Sequence, residues 1–203
     1  MNQYTLRSFH TLEDKQPFWN FCQSASLDTA QPAHVNMWGD GKNALPYILT
    51  NTQRFAGVNG EFTILYHNES IVACAGVYVS EFSRYISLAA TRLWIDSAYR
   101  NKMLARDYIL PAHKAWSKER GIKQIAICFN DYNKNLMRTF FRSRMGESGQ
   151  RALERQSYHL FYSNINELSF PVIIQDTKQW ALYESLDTNW TFDWTKIQFF
   201  STH

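Results

Sequence analysis

No stretch of this sequence approaches the about 20 consecutive apolar residues that a membrane-spanning helix requires. Its first ten residues, MNQYTLRSFH, also lack the apolar core of a secretory signal. The expectation is a soluble, cytoplasmic protein with no membrane partner. Cysteine is scarce: Cys22, Cys74 and Cys128 are odd in number, isolated and without Cys-x-x-Cys spacing. They read as reduced thiols, neither bridges nor metal ligands. His34, His67, His113 and His159 show no ligand spacing either, so they read as ordinary histidines and no metal is expected. The formal net charge of +3 is too small to indicate a nucleic-acid partner, although Lys134 to Arg155 is locally basic. Internal repeats and low-complexity segments are missing, and 203 residues suit one large domain.

Apolar residues, by contrast, are plentiful at 45%, enough for a sizeable core, and aromatics reach 16%. The chain is organised around Ala90 to Gly121, ATRLWIDSAYRNKMLARDYILPAHKAWSKERG. Thr91, Leu93 and Ile95 fall on one side of a period-two run and Arg92, Trp94 and Asp96 on the other, which predicts a strand of about six residues ended by Ser97. A short loop with Arg100 and Lys102 follows. Leu104, Tyr108, Ala112 and Trp116 then recur at helical spacing, predicting one helix from about Met103 to Arg120 that stops at Gly121. Pro111 lies inside it and should kink it at a cost of about 3 kcal/mol. A helix that opens inside a basic loop presents unpaired N–H groups and the positive end of its dipole, which suits a phosphate or pyrophosphate.

Around this centre, Tyr4 to Phe9 predicts a first strand, and Thr11, with Asp14 three residues on, an N-cap for a helix burying Leu12, Phe18 or Trp19, and Cys22. Gln31 to Arg54 is broken by Pro32, Gly39, Gly41 and Pro46. Phe62–His67 and Ile71–Val79, joined by Asn68-Glu69-Ser70, read as a hairpin whose slim Ala73, Ala75 and Gly76 admit a helix closely. Lys123 to Phe129 predicts a strand parallel to the organising one across the helix. A helix begins near Asn133, with Leu136, Met137, Phe140 and Phe141 on its apolar face and Lys134, Arg138 and Arg142 opposite. Arg155 to Tyr162 suits a closing strand, Pro171 to Gln175 a short strand, Lys178 to Glu184 a helical turn, and Trp190, Phe192 and Trp194 an aromatic strand. The layout is α/β (α+β), a mixed and mostly antiparallel sheet flanked by helices.

The central stretch resembles the acyl-CoA-binding signature of the GNAT superfamily of N-acyltransferases, in which a strand feeds a loop of pattern Gln/Arg-x-x-Gly-x-Gly/Ala and then a helix. Arg100 takes the first position and Ala105 the last, while Met103 stands where the middle glycine is usual. The order of elements continues the resemblance over residues 1–162, about four-fifths of the chain. Residues 163–203 form an aromatic-rich C-terminal extension that the pattern does not explain and that is expected to pack on the same domain. Its aromatic strand either covers the sheet or forms a substrate or subunit surface, as in a homodimer.

The resemblance implies transfer of an acetyl group from acetyl-CoA to a small-molecule or peptide amine. It implies that backbone N–H groups of Leu93, Trp94 and Ile95 meet the thioester carbonyl. Those of Arg100, Asn101, Lys102, Met103, Leu104 and Ala105 would meet the phosphates. Asn133 would bond the pantetheine arm, cap a helix, or do both. Lys134, Arg138 and Arg142 form a solvated face or a rim for the adenosine 3′-phosphate. Val35 to Phe55 either walls the acceptor site or is a surface loop. Phe140 occupies the position where a tyrosine often serves as general acid, so Tyr132, with Tyr99 nearby, is the substitute. Asp96 is the nearest carboxylate to relay a proton through water, with Glu81 next; Asp96 can equally be a capping residue. Two classes stay open: a working N-acetyltransferase, for which Arg100, Lys102 and Ala105 speak, and a module with lapsed catalysis that binds CoA or a protein partner, for which Met103 and Phe140 speak.

Overall fold

Ser8 turns the chain out of its first strand, β1 (Tyr4–Ser8): its hydroxyl accepts from His10 N–H at 3.2 Å and opens a 3-10 turn over Phe9–Thr11. The structure is a computed structural model. It describes residues 4–26, 49–50, 55, 58–80, 83–130, 153–155, 179–187 and 189, with the backbone alone at 26, 128–130, 153–155 and 179–185. Helix α1 (Gln16–Ser26) starts later than a Thr11 cap predicts. Asp14 Oδ1 takes the Gln16 N–H at 2.8 Å, whereas Thr11 Oγ1 donates back to the Ser8 carbonyl at 3.0 Å. Pro17 then falls in the first turn, where its missing N–H costs nothing. Phe18 and Cys22, one turn apart, bury the inner face, and Phe18 meets the Phe9 and Phe62 rings.

The predicted hairpin forms as β2 (Gly60–His67) and β3 (Ser70–Val79), antiparallel to each other, with β1 on the outer edge of β2. Asn68 supplies the turn with a left-handed backbone, φ 55°, which asparagine tolerates. β4 (Ile86–Ile95) lies antiparallel to β3 and parallel to β5 (Gln124–Asn130). It is longer than the six-residue strand that the Thr91–Asp96 alternation predicts, because its first half is paired on both edges and therefore apolar without alternation.

The single predicted helix is instead a π-turn, Ala105–Ile109, running into α2 (Leu110–Glu119). Leu110 N–H reaches back five residues to the Ala105 carbonyl, and Pro111 lands in the first turn of α2. The wide turn absorbs what would otherwise be an interior proline with a missing hydrogen bond. Gly121, at φ 67°, ends α2 as predicted.

β6 (Leu153–Arg155) and β7 (Gln179–Ser185) complete a seven-stranded sheet in the order β1-β2-β3-β4-β5-β7-β6. Gln179–Ser185 is therefore a strand, where a helical turn is expected over Lys178 to Glu184: β7 pairs along the whole of β5, from Gln124↔Ser185 to Asn130↔Gln179, and such pairing overrides a weak local preference. β7 comes from the 163–203 extension. Of the remaining expected elements, those within 131–152, 156–178 and 190–203 lie outside the described residues. Two apolar layers sandwich the sheet. Phe9, Phe18, Phe55, Phe62, Ile64, Cys74, Tyr78, Leu88 and Trp94 cluster on the α1 side. Val77, Ala89, Ala90, Leu110, Trp116, Ile125 and Ile127 cluster on the α2 side, where Ala73 and Ala75 admit Leu104 and Ile109. No helix among the described residues is long and apolar enough to cross a membrane.

Candidate functional site

β4 does not run straight. Its register against β3 passes from Cys74↔Trp94 to Gly76↔Thr91 and then to Tyr78↔Leu88, so β4 holds one extra residue at each step. Ala90 and Arg92, both at φ 51°, sit at these two bulges. A left-handed backbone costs such residues about 1–2 kcal/mol each, and the bend it imposes re-aims the strand. The bulges also upset the predicted alternation: Thr91 Oγ1 lies beside Phe55, on the face opposite Leu93 and Ile95. Thr91 Oγ1 donates to the Gly76 carbonyl at 2.9 Å.

The bend has a consequence for the parallel ladder. β4 pairs with β5 from Ile86↔Gln124 only as far as Ala89↔Ile127; past that point β5 stays with β7 while β4 continues to Ile95. The two parallel strands part, and Leu93, Trp94 and Ile95 lie on the open arm. On that arm Trp94 and Ile95 remain paired with Cys74 and Ala73 of β3, and the edge that faced β5 is the one that opens.

At the end of the arm the loop is tightly braced. Asp96 Oδ1 accepts from Ala98 N–H at 2.8 Å, capping a 3-10 turn over Ser97–Tyr99. Arg100 Nε donates to the Ile95 carbonyl at 3.1 Å, and its guanidinium lies 4.7 Å from the centre of the Trp94 ring. Tyr99 bonds His67 Nδ1 at 3.0 Å through its hydroxyl, and Lys102 Nζ sits 4.5 Å over the Tyr99 ring. Asn101 (φ 63°) and Met103 (φ 57°) are left-handed. The position where glycine is usual thus adopts the glycine conformation in spite of its side chain. The first helical bond runs from Asp107 N–H to the Met103 carbonyl at 2.9 Å, leaving Leu104, Ala105 and Arg106 N–H outside the ladder at the positive end of the helix dipole. Leu104 and Ala105 are buried, so what they offer a ligand is backbone.

The structure therefore gathers Leu93, Trp94, Ile95, Asp96 and the whole of Arg100 to Ala105 at one end of β4. Tyr132, Asn133, Phe140 and Glu81 lie outside the described residues, as does most of Val35 to Phe55. Phe55 is described and buried: its ring fills the space over Gly76, where a Cβ would come within 2.3 Å of Phe55 Cε1, and its carbonyl bonds His10 Nε2. Gly76 makes room for Phe55 and not for a helix.

A residue read as ordinary in the sequence proves central to the geometry. His113 on α2 is buried, and its Nδ1 accepts from Ala90 N–H at 3.2 Å. Burial drives its pKa down to about 3, which the Ala75 backbone offsets only in part, so the ring is neutral. The only signal in the sequence is a histidine beside the helical apolar stripe, one residue from Ala112, and that pattern has many causes. Burial pushes the Cys22 thiol up to about 12 and Cys74 up as well, which keeps both protonated and excludes them as nucleophiles.

No protein-family model matches the sequence, and no curated protein does. Solved structures do match. A GNAT-family acetyltransferase from Staphylococcus aureus Mu50 superposes with a TM-score of 0.59 at 18% identity, over 91% of this chain and 100% of that one. A spermidine N-acetyltransferase chimera that includes the Vibrio cholerae enzyme gives 0.61 at 12% identity over 90% and 95%. The diaminobutyrate acetyltransferase of Paenibacillus lautus, solved with L-2,4-diaminobutyric acid and coenzyme A, gives 0.59 at 14% identity over 90% and 95%. At these identities the likeness is one of fold, and the fold is that of the GNAT acyl-CoA N-acyltransferases.

Proposed function

We propose that the protein is an N-acetyltransferase that takes its acyl group from acetyl-CoA and delivers it to a primary amine. One observation carries the reading: the parting of β4 from β5 after Ala89↔Ile127 ends at a helix start flanked by Arg100 and Lys102. A slot lined by strand amides that leads to an anion-binding helix terminus suits a long thioester with a pyrophosphate at one end. Two structural neighbours act on spermidine and diaminobutyrate, which favours a small amine acceptor.

Acetyl-CoA supplies an activated acetyl group; the chain supplies placement. Backbone N–H groups of Leu93 to Ile95 receive the charge that gathers on the thioester oxygen. Those from Arg100 to Ala105, with the two cations, hold the phosphates, and Asn133 holds the pantetheine arm. Asp96, through water, accepts the proton that the amine sheds, and Tyr132 returns one to the departing sulfur. With Phe140 in the usual tyrosine position Tyr132 is a substitute acid, and because loss of a positioned acid costs about 10²- to 10⁴-fold, turnover is expected to be slow to the extent that Tyr132 stands off the sulfur. Phe140 and Met103 also support a second reading, a module that binds CoA without catalysis.

Thermal shift and thiol release decide between them. Acetyl-CoA should raise Tm by mass action, and Arg100→Ala should blunt the rise. Thiol release from acetyl-CoA that depends on an added polyamine, amino acid or peptide marks the enzyme. Binding without release across the panel marks the module. No thermal shift with CoA or any acyl-CoA at millimolar concentration overturns both.

A further inference from the structure

Resting on the acyltransferase reading above, we infer that His113 is the positioning residue that sets where β4 parts from β5, and thereby holds the thioester arm in register with the phosphate loop. Ala90 is the first residue of β4 beyond the β5 ladder. Its N–H is buried, and at that point the neighbouring strand no longer pairs with it. A buried N–H needs an acceptor. His113 Nδ1, 3.2 Å away, provides it, and the left-handed backbone of Ala90 turns the group toward α2. For Nδ1 to accept, the ring must be neutral and carry its proton on Nε2.

The histidine is itself fixed. One turn further along α2, the buried Ser117 Oγ donates to the His113 carbonyl at 2.8 Å and lies 2.7 Å from Ser87 Oγ. Ser87 is in the part of β4 still paired with β5, opposite Ile125. α2 thus grips β4 on both sides of the point where the ladder ends: Ser117 on Ser87 before it, His113 on Ala90 after it. The same helical run carries the free amides of Leu104 to Arg106 at its start. The clamp therefore ties the strand that offers amides to the thioester to the helix that offers amides to the phosphates, and small displacements between such groups cost large factors in rate.

The test compares the native protein with His113→Leu, which removes the acceptor, and His113→Asn, whose amide oxygen stands near the Nδ1 position. Ala90 amide exchange is read by NMR, and acetyl-CoA affinity by calorimetry. In the native protein and His113→Asn, Ala90 should exchange slowly and Kd should agree within about threefold. In His113→Leu, Ala90 should exchange far faster and Kd should rise by about tenfold or more. A merely structural histidine would lower Tm and leave the Kd of the folded variant unchanged, which overturns the inference. Should His113→Leu not fold, the native protein still decides. On adding acetyl-CoA, the amides of Leu93 to Ile95 should shift while Ala90 stays slow and unshifted; an Ala90 amide that exchanges fast, or that moves with the ligand, overturns the clamp. No shift anywhere from Leu93 to Ala105 instead overturns the acyltransferase reading, and Ala90 exchange continues to judge the clamp alone.

Discussion

Left-handed backbone at a residue with a Cβ carries a steric cost of about 1–2 kcal/mol, and Met103, at φ 57°, bears it at the position where glycine is usual. Met103→Gly would relieve that cost in the folded state and add about 0.5–1 kcal/mol of backbone entropy lost on folding. The two nearly offset, so the denaturant midpoint should move little. Acetyl-CoA affinity should move more, because the substitution clears a half-buried side chain from beside the amides of Leu104 to Arg106. A several-fold lower Kd by calorimetry is the expected result; a higher Kd would mean that the Met103 side chain packs against the ligand. Asp96 illustrates a neighbouring lesson. As a carboxylate at a strand end it reads as a proton relay or a cap, and its bond to Ala98 N–H supplies the cap without occupying its second oxygen.

Among the elements, β4 is the least regular and the most consequential, and its shape depends on β3. Gly76 sits opposite Thr91, between the two bulges, and its missing side chain leaves the space that the Phe55 ring occupies. A Cβ there would come within 2.3 Å of the ring and 2.8 Å of Thr91 Oγ1. Gly76→Ala should accordingly destabilise by about 1–3 kcal/mol, as overpacked cores do, and should lower the urea midpoint. Adding Phe55→Leu should recover part of the loss, since the shorter side chain vacates the contact. A double variant no more stable than Gly76→Ala alone would show that the clash is with Thr91 and the bulge. For the helix that follows, Pro111 announces an irregularity in the sequence, but its form, a π-turn with the proline shifted into the next first turn, follows from which carbonyl Leu110 N–H can reach.

At the scale of the whole molecule the C-terminal extension supplies sheet. β7, residues 179–185, pairs with β5 at seven positions, so a chain ended at Tyr162 would leave β5 as an open edge beside the parting strands. Such a chain is expected to be recovered as aggregate; a soluble monomer with native-like circular dichroism would show that β5 needs no partner there. The sequence by itself determined what is local. Period-two and period-3.6 patterns located β1 to β5, the inner face of α1 and the helical run that ends at Gly121, and Arg100 and Lys102 marked the loop at which that run opens. The tertiary structure alone decided where β4 bulges, that Asp14 caps α1, that residues 179–185 are a strand, and that Ala90 N–H belongs to His113, twenty-three positions away. The physical reason is that periodicity records which side of an element is apolar, whereas an unpaired backbone group is defined by the partner it lacks, and that partner comes from elsewhere in the chain.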